Sequence, residues 1–394
     1  MSTSFNPPQR TLMGPGPSDV AARVLLALAR PTVGHLDPQF IDMMDDVKRL
    51  LQYAFRTDNA LTLPLSGPGS VGMEAVFVNL IEPGDKVVVC VNGAFGGRMK
   101  ENVLRAGGVP VVVEDEWGRA VDPDKVEDAL RQHPDARALA FVHAETSTGA
   151  LSDAQTLAAI AHRHDVFCIV DTVTSLGGVP VEVDAWQFDA VYAGTQKCLS
   201  CVPGLSPVSF SERAAAHIRA RTRPVQSWFL DMNLVMGYWG SGVKRTYHHT
   251  APVNSLYALH ESLLMIEEEG IENAWSRHRH HHLALRAGLE AMGLEFLVPE
   301  TERTPQLNAV RIPAGVDEAL VRRRLLDDHD LEIGAGLGPL AGRIWRIGLM
   351  GQSCCKRNVL RCLGSLEAVL ADLGHAPPAG AATAAAHALY GKEA

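Results

Sequence analysis

The chain predicts a parallel α/β fold with a smaller α+β unit at its C-terminal end, and three observations lead there. Between residues 20 and 190 four short runs are almost wholly apolar: VVVCV at 87–91, PVVV at 110–113, ALAFV at 138–142 and VFCIVD at 166–171. Strands buried on both faces read this way, and the helix-period stretches between them serve as crossovers. After residue 211 the alternation stops, and a second, shorter set of strand and helix patterns follows. The length of 394 residues accommodates both units at roughly 150 residues per domain.

Taken in order, residues 1–19 form an N-terminal arm, made stiff and extended by the prolines of GPGPS at 14–18. Residues 20–260 form the large domain, with a mostly parallel sheet flanked by helices. There SGPGS at 66–70 is a Gly/Pro turn leading into the helical VGMEAVFVNL, and DAVYAGTQKCLSCVPG at 189–204 adds a further strand and turn. A helical pattern spans about 253–292. The small α+β domain, 261–375, contains strand-like LNAVRIP at 307–313, a helix near 316–328, strand-like IWRIGLM at 344–350 and a helix from 356. The tail 376–394 is biased toward Ala, Pro and Gly and is expected to be mobile.

Composition narrows the function. Thirty-six Lys plus Arg against 45 Asp plus Glu give a net charge of −9, and no basic stripe stands out, which argues against nucleic acid as partner. No apolar run reaches the roughly 18 residues of a membrane helix, and the first residues carry no signal-peptide core, so no membrane partner and a cytoplasmic location are expected. The seven cysteines are odd in number and several lie inside strand-like runs, which suits reduced thiols.

In open α/β sheets ligands gather beyond the carboxyl ends of the strands. SGPGS ahead of a helix offers backbone N–H groups and a helix N-terminus to a phosphate, although such a turn by itself is more often only a turn. It is neither a G-K-[ST] loop nor a G-x-G-x-x-G fingerprint, which disfavours ATP and NAD. Asp171 ends the run VFCIVD, where an acid either caps the next turn or faces a cationic ring nitrogen. Lys197 follows the next strand among small neighbours; alone, a lysine there is more often at the surface. Together the three pieces are what pyridoxal phosphate chemistry requires: an amine for the aldehyde, an acid for the ring nitrogen and fixed donors for the phosphate.

Other clusters are set aside. His278, His280, His281 and His282 lie in one run, and without a carboxylate or Cys partner they are expected to form a solvated helix face, with no metal site. Cys198 and Cys201 form C-x-x-C outside any redox context. His248 and His249 are read as packing and hydrogen-bonding groups. Cys354 and Cys355 fall at an expected strand-to-helix turn rather than on a long loop.

GPGPS, SGPGS, NGAFGGR at 92–98, HAETSTG at 143–149, VDTVTSLGG at 170–178, AGTQK at 193–197, YHHT at 247–250 and GLGPLAGRIWRIGLMG at 336–351 occur in this order. With them the chain resembles the class V aminotransferases, pyridoxal phosphate enzymes of fold type I. The resemblance implies Lys197 as the Schiff-base lysine, Asp171 as partner of the pyridine nitrogen, Val173 on one ring face and Phe95, where the family often has Trp, on the other. It implies Thr146 at the ring 3-oxygen, and Gly69, Ser70 and Gln196 at the phosphate, with Ser70 replacing a His seen in close relatives. Tyr247 and Thr250 resemble residues that reach the phosphate of a neighbouring subunit, which implies a homodimer with shared sites. Arg346 resembles the clamp on the substrate carboxylate, and Gly16 lies in the segment lining the substrate entrance. The implied activity is transfer of an amino group from alanine or serine to glyoxylate or pyruvate, with ureidoglycine as the alternative donor.

Overall fold

The computed structural model describes residues 3–240, 245–375 and 378–391. Its main sheet has seven strands in the order Leu61–Ser66, Leu205–Phe210, Ala190–Tyr192, Phe167–Asp171, Ala136–Val142, Lys86–Val91 and Val109–Glu114. Leu205–Phe210 runs antiparallel to both neighbours and every other pairing is parallel. Helices cover both faces, so the central strands are apolar throughout; all five residues of Phe167–Asp171 are buried. The parallel strands therefore deliver Val91, Val142, Asp171 and Tyr192 to one edge of the sheet, with Ser66 at the same edge.

The helical pattern over 253–292 forms two helices, Val253–Glu269 and Ile271–Ala291, separated at Gly270, whose φ of 84° is a left-handed value that glycine tolerates. The first packs on Ala22–Leu28 and Pro38–Phe55. The second begins in the large core at Ile271 and ends in the small core at Ala284, Leu285 and Leu289, so the cores divide inside this helix rather than at residue 260. The small domain has an antiparallel sheet of Leu307–Arg311, Ile344–Gly348 and Gly334–Ala335. The N-terminal arm is stitched to it: Thr11–Leu12 pairs in parallel with Leu331–Glu332, and Gly348 N–H donates to the Met13 carbonyl at 2.7 Å. Among the described residues no helix is long and apolar enough to cross a membrane.

Two further expectations are corrected. The tail is not a mobile segment where it is described: Ala381–Tyr390 is a helix packed on Ile271–Ala291 and Lys356–Asp372, with Ala382 and Ala386 buried. The alanines that read as low complexity are the best helix formers, and their small size allows close approach. Gly288 opposite is bare for the same reason, since a Cβ there would come 2.8 Å from the Ala382 carbonyl oxygen. The histidine run does not turn His278 and His282 to solvent either. Both are buried; His278 Nε2 accepts the Gly351 N–H at 2.9 Å, its Nδ1 meets the Ala274 carbonyl at 2.6 Å, and His282 Nδ1 meets Asn308 Oδ1 at 2.7 Å. Burial pushes them down to about 3 and about 4, so both are neutral links between the helix and the small domain.

Candidate active site

Asp171 and Lys197 meet at the carboxyl edge of the large sheet. Asp171 is 3% exposed; its Oδ1 accepts the Val173 N–H and its Oδ2 the Tyr192 hydroxyl, each at 2.8 Å. Burial pushes its carboxyl up to about 7, partly opposed by those two donors, and no ion pair among the described residues includes it. Lys197, 7% exposed, is pulled down to about 8, first by burial and then by the charge of Arg346. Its Nζ donates to the Pro15 carbonyl. Gly16 lies against it with φ of +101°, where a Cβ would come 2.7 Å from Nζ, so only glycine lets the N-terminal segment pass this close.

Arg346 reaches the site from Ile344–Gly348 and joins it to the small domain. Nε donates to the Ala335 carbonyl at 2.7 Å and Nη1 to the Thr146 carbonyl at 3.1 Å. None of the ion pairs among the described residues involves Arg346, so a buried guanidinium keeps Nη2 free for an anion, and burial pulls it down to about 10. Thr146 Oγ1 is bonded to Thr174 Oγ1.

Glu145, absent from the expectations, organises this side of the site. Oε1 accepts the Ser147 N–H at 3.0 Å and hydroxyl at 2.6 Å, while Oε2 accepts the N–H groups of Phe95 at 3.2 Å and Gly96 at 3.4 Å. Burial pushes the carboxyl up, yet four donors and no acceptor surround it, the pattern of an ionised group. It thereby anchors the first turn of the helix Ala94–Arg105, and with it Phe95, to the segment carrying Thr146. Tyr192 was also unforeseen. A tyrosine in an apolar strand needs a partner for its hydroxyl, and that was the available signal.

The turn before Gly69–Leu80 is open to an anion: Pro68 caps the helix without a side-chain bond and its first turn holds no acidic residue. Ser70 is exposed there, while Gly69 is buried against Val173, to whose Cγ2 a Cβ would come within 3.0 Å. Gln196 lies beside Gly194, and its Oε1 is buried with no hydrogen-bond partner among the described residues. Gly16, Gly69, Thr146, Asp171, Val173, Gln196, Lys197 and Arg346 thus form one contiguous cluster, with Phe95 tied to it through Glu145. Tyr247 and Thr250 stand outside it; both are exposed, and their hydroxyls lie 3.5 Å apart. Neighbouring His248 stacks on Trp228 with centroids 4.5 Å apart, and His249 Nε2 meets Ser66 Oγ at 3.3 Å. All seven cysteines are free thiols, and burial pushes Cys198 and Cys201 up to about 12, far from nucleophilic at neutral pH.

The described geometry has counterparts. Residues 23–341 match the family model for aminotransferase class-V. The (S)-ureidoglycine–glyoxylate transaminase of Bacillus subtilis is 39% identical over 97% of this chain and 96% of its own, and the crystal structure of ureidoglycine–glyoxylate aminotransferase from that species superposes with a TM-score of 0.96, covering 98% of this chain and 100% of that one. Alanine–glyoxylate aminotransferase of Felis catus is 40% identical over 92% of this chain and 88% of its own. The alanine–glyoxylate aminotransferase structure from Nostoc sp. shares 44% identity and a TM-score of 0.92 over 94% of this chain and 97% of that one. With the fold type I architecture and the match running through sheet, site and small domain, this chain belongs to the class V aminotransferases.

Proposed function

We propose that this aminotransferase uses pyridoxal 5′-phosphate to move an amino group from alanine or serine to glyoxylate or pyruvate. The residues present fit that cofactor: a buried carboxylate forms no ion pair among the described residues, an anion-ready turn is lined by Gly69 and Ser70, and Gln196 Oε1 is buried with no hydrogen-bond partner among those residues. When bound, the cofactor supplies an electron sink for the charge left as the substrate Cα loses its proton. Asp171 would hold the pyridine nitrogen, Val173 and Phe95 the two ring faces, Thr146 the ring oxygen, and Gly69, Ser70 and Gln196 the phosphate. Lys197 Nζ would carry the aldehyde at rest and, once free, take and return the Cα proton, for which burial keeps the amine partly neutral.

The observation that carries the substrate reading is Arg346, a buried guanidinium that forms no ion pair among the described residues and lies close enough to Lys197 to depress it. Its free face suits a bidentate grip on one substrate carboxylate and orients Cα toward Nζ. Tyr247 and Thr250, exposed and away from the cluster, would complete the phosphate site of a second subunit in a homodimer. Seven free thiols accord with a cytoplasmic location. A ureidoglycine donor is the second reading, favoured by the 0.96 TM-score to the Bacillus subtilis structure. Steady-state rates with glyoxylate as acceptor and alanine, serine or ureidoglycine as donor decide between them: alanine or serine is expected to give the highest kcat/KM, and preference for ureidoglycine overturns the first reading.

A further inference from the structure

We propose that Tyr192 is a positioning residue that fixes the proton between Asp171 and the cofactor ring on the ring nitrogen. The inference rests on the reading of Asp171 as the ring-nitrogen partner. The parallel register pairs Asp171 with Tyr192, which puts both side chains on one face of the sheet. The phenol is fully buried, and its single hydrogen bond among the described residues is the 2.8 Å donation to Asp171 Oδ2.

The backbone that carries the ring is held in place. The Thr172 N–H and hydroxyl both bond the Tyr192 carbonyl at 2.9 Å, and a Cβ on Gly72 of the phosphate-turn helix would come 2.9 Å from Tyr192 Cβ. Val173 N–H meets Oδ1, so each carboxylate oxygen has one fixed donor and the group is oriented before any ligand arrives. An acceptor served by two donors is a poorer base than a bare buried carboxylate, which would tend to retain the proton itself. Glu145 and Lys197 are the other charged groups acting on Asp171, and they act with opposite sign.

The test compares the wild-type holoenzyme with Tyr192→Phe and Asp171→Asn, each reconstituted with pyridoxal phosphate labelled with ¹⁵N in the ring. The readouts are the ¹⁵N chemical shift, the cofactor dissociation constant of the apoprotein and the melting temperature. Tyr192→Phe keeps the ring and its packing and is expected to move the nitrogen signal toward the unprotonated value and to weaken cofactor binding about tenfold, the loss of one bond to a charged group. In the Asp171→Asn background the same change is expected to add nothing. A lower melting temperature with unchanged shift and affinity, while Asp171→Asn alters both, overturns the role of Tyr192 alone. If Asp171→Asn also leaves both unchanged, the Asp171 reading falls with it.

Discussion

Replacing Arg346 tests the substrate side of the account. The guanidinium spends Nε on Ala335 and one Nη1 hydrogen on Thr146, which leaves Nη2 and the second Nη1 hydrogen in one plane for a carboxylate. As a substrate clamp, two charge-assisted bonds at about 1.5–3 kcal/mol each would place about 3–6 kcal/mol of binding there. Arg346→Ala should therefore lower kcat/KM for alanine and for glyoxylate by about 10² to 10⁴-fold. Arg346→Lys, which offers one directed bond instead of two, should lose about 10 to 150-fold. The visible band of the bound cofactor should persist in both variants, because among the described residues Arg346 meets the residues assigned to the cofactor only at the Thr146 backbone carbonyl. Steady-state kinetics with each substrate varied in turn give the answer. A kcat/KM for Arg346→Ala within threefold of wild type would falsify the clamp, and loss of the cofactor spectrum would show that the arginine holds the cofactor site instead.

Three further outcomes follow from the same geometry. Asp171 sits at about 7 in the fold against an ordinary 3.8, so the folded chain binds the extra proton and the cofactor-free protein loses stability through this group as pH rises from about 4 to 7. At about 1.4 kcal/mol per pH unit the shift costs about 4 kcal/mol above pH 7, so apo Asp171→Asn should melt higher than apo wild type at pH 8 but not at pH 4; equal melting at both would refute it. Glu145→Gln keeps one acceptor oxygen among four donors and leaves at least one buried N–H or hydroxyl unmet, a cost of about 1–3 kcal/mol. Calorimetry should show a lower melting temperature, and a titration should show weaker cofactor binding through the displaced Phe95. Gly16→Ala places a methyl against the Lys197 amine at a φ that disfavours alanine, and covalently held cofactor per chain should fall sharply; full occupancy would contradict the close approach.

Much of this was legible in the chain because buried parallel strands announce themselves as continuous apolar runs. Asp171 and Lys197 were found by their place just past such runs. Arg346 was not locatable that way; it enters from a second domain some 150 residues on, and only a family resemblance connected it to the site. Glu145 and Tyr192 escaped because their roles depend on register and on a helix first turn brought alongside, which no spacing encodes. His278 and His282 depart from the expected solvated face because a polar residue can be buried once a partner is fixed, here the Gly351 N–H and Asn308. The tail departs from expectation because composition does not distinguish an alanine-rich linker from an alanine-rich helix with a groove to fill.

The claim on which the rest depends is that the Lys197 amine carries the cofactor. Borohydride reduction of the yellow holoenzyme, proteolysis and mass spectrometry locate that bond directly. The reduced cofactor is predicted on the peptide containing Lys197 and on no other, and is predicted to be missing from Lys197→Ala treated alike. Its recovery on a different lysine, or its survival in Lys197→Ala, would contradict the account.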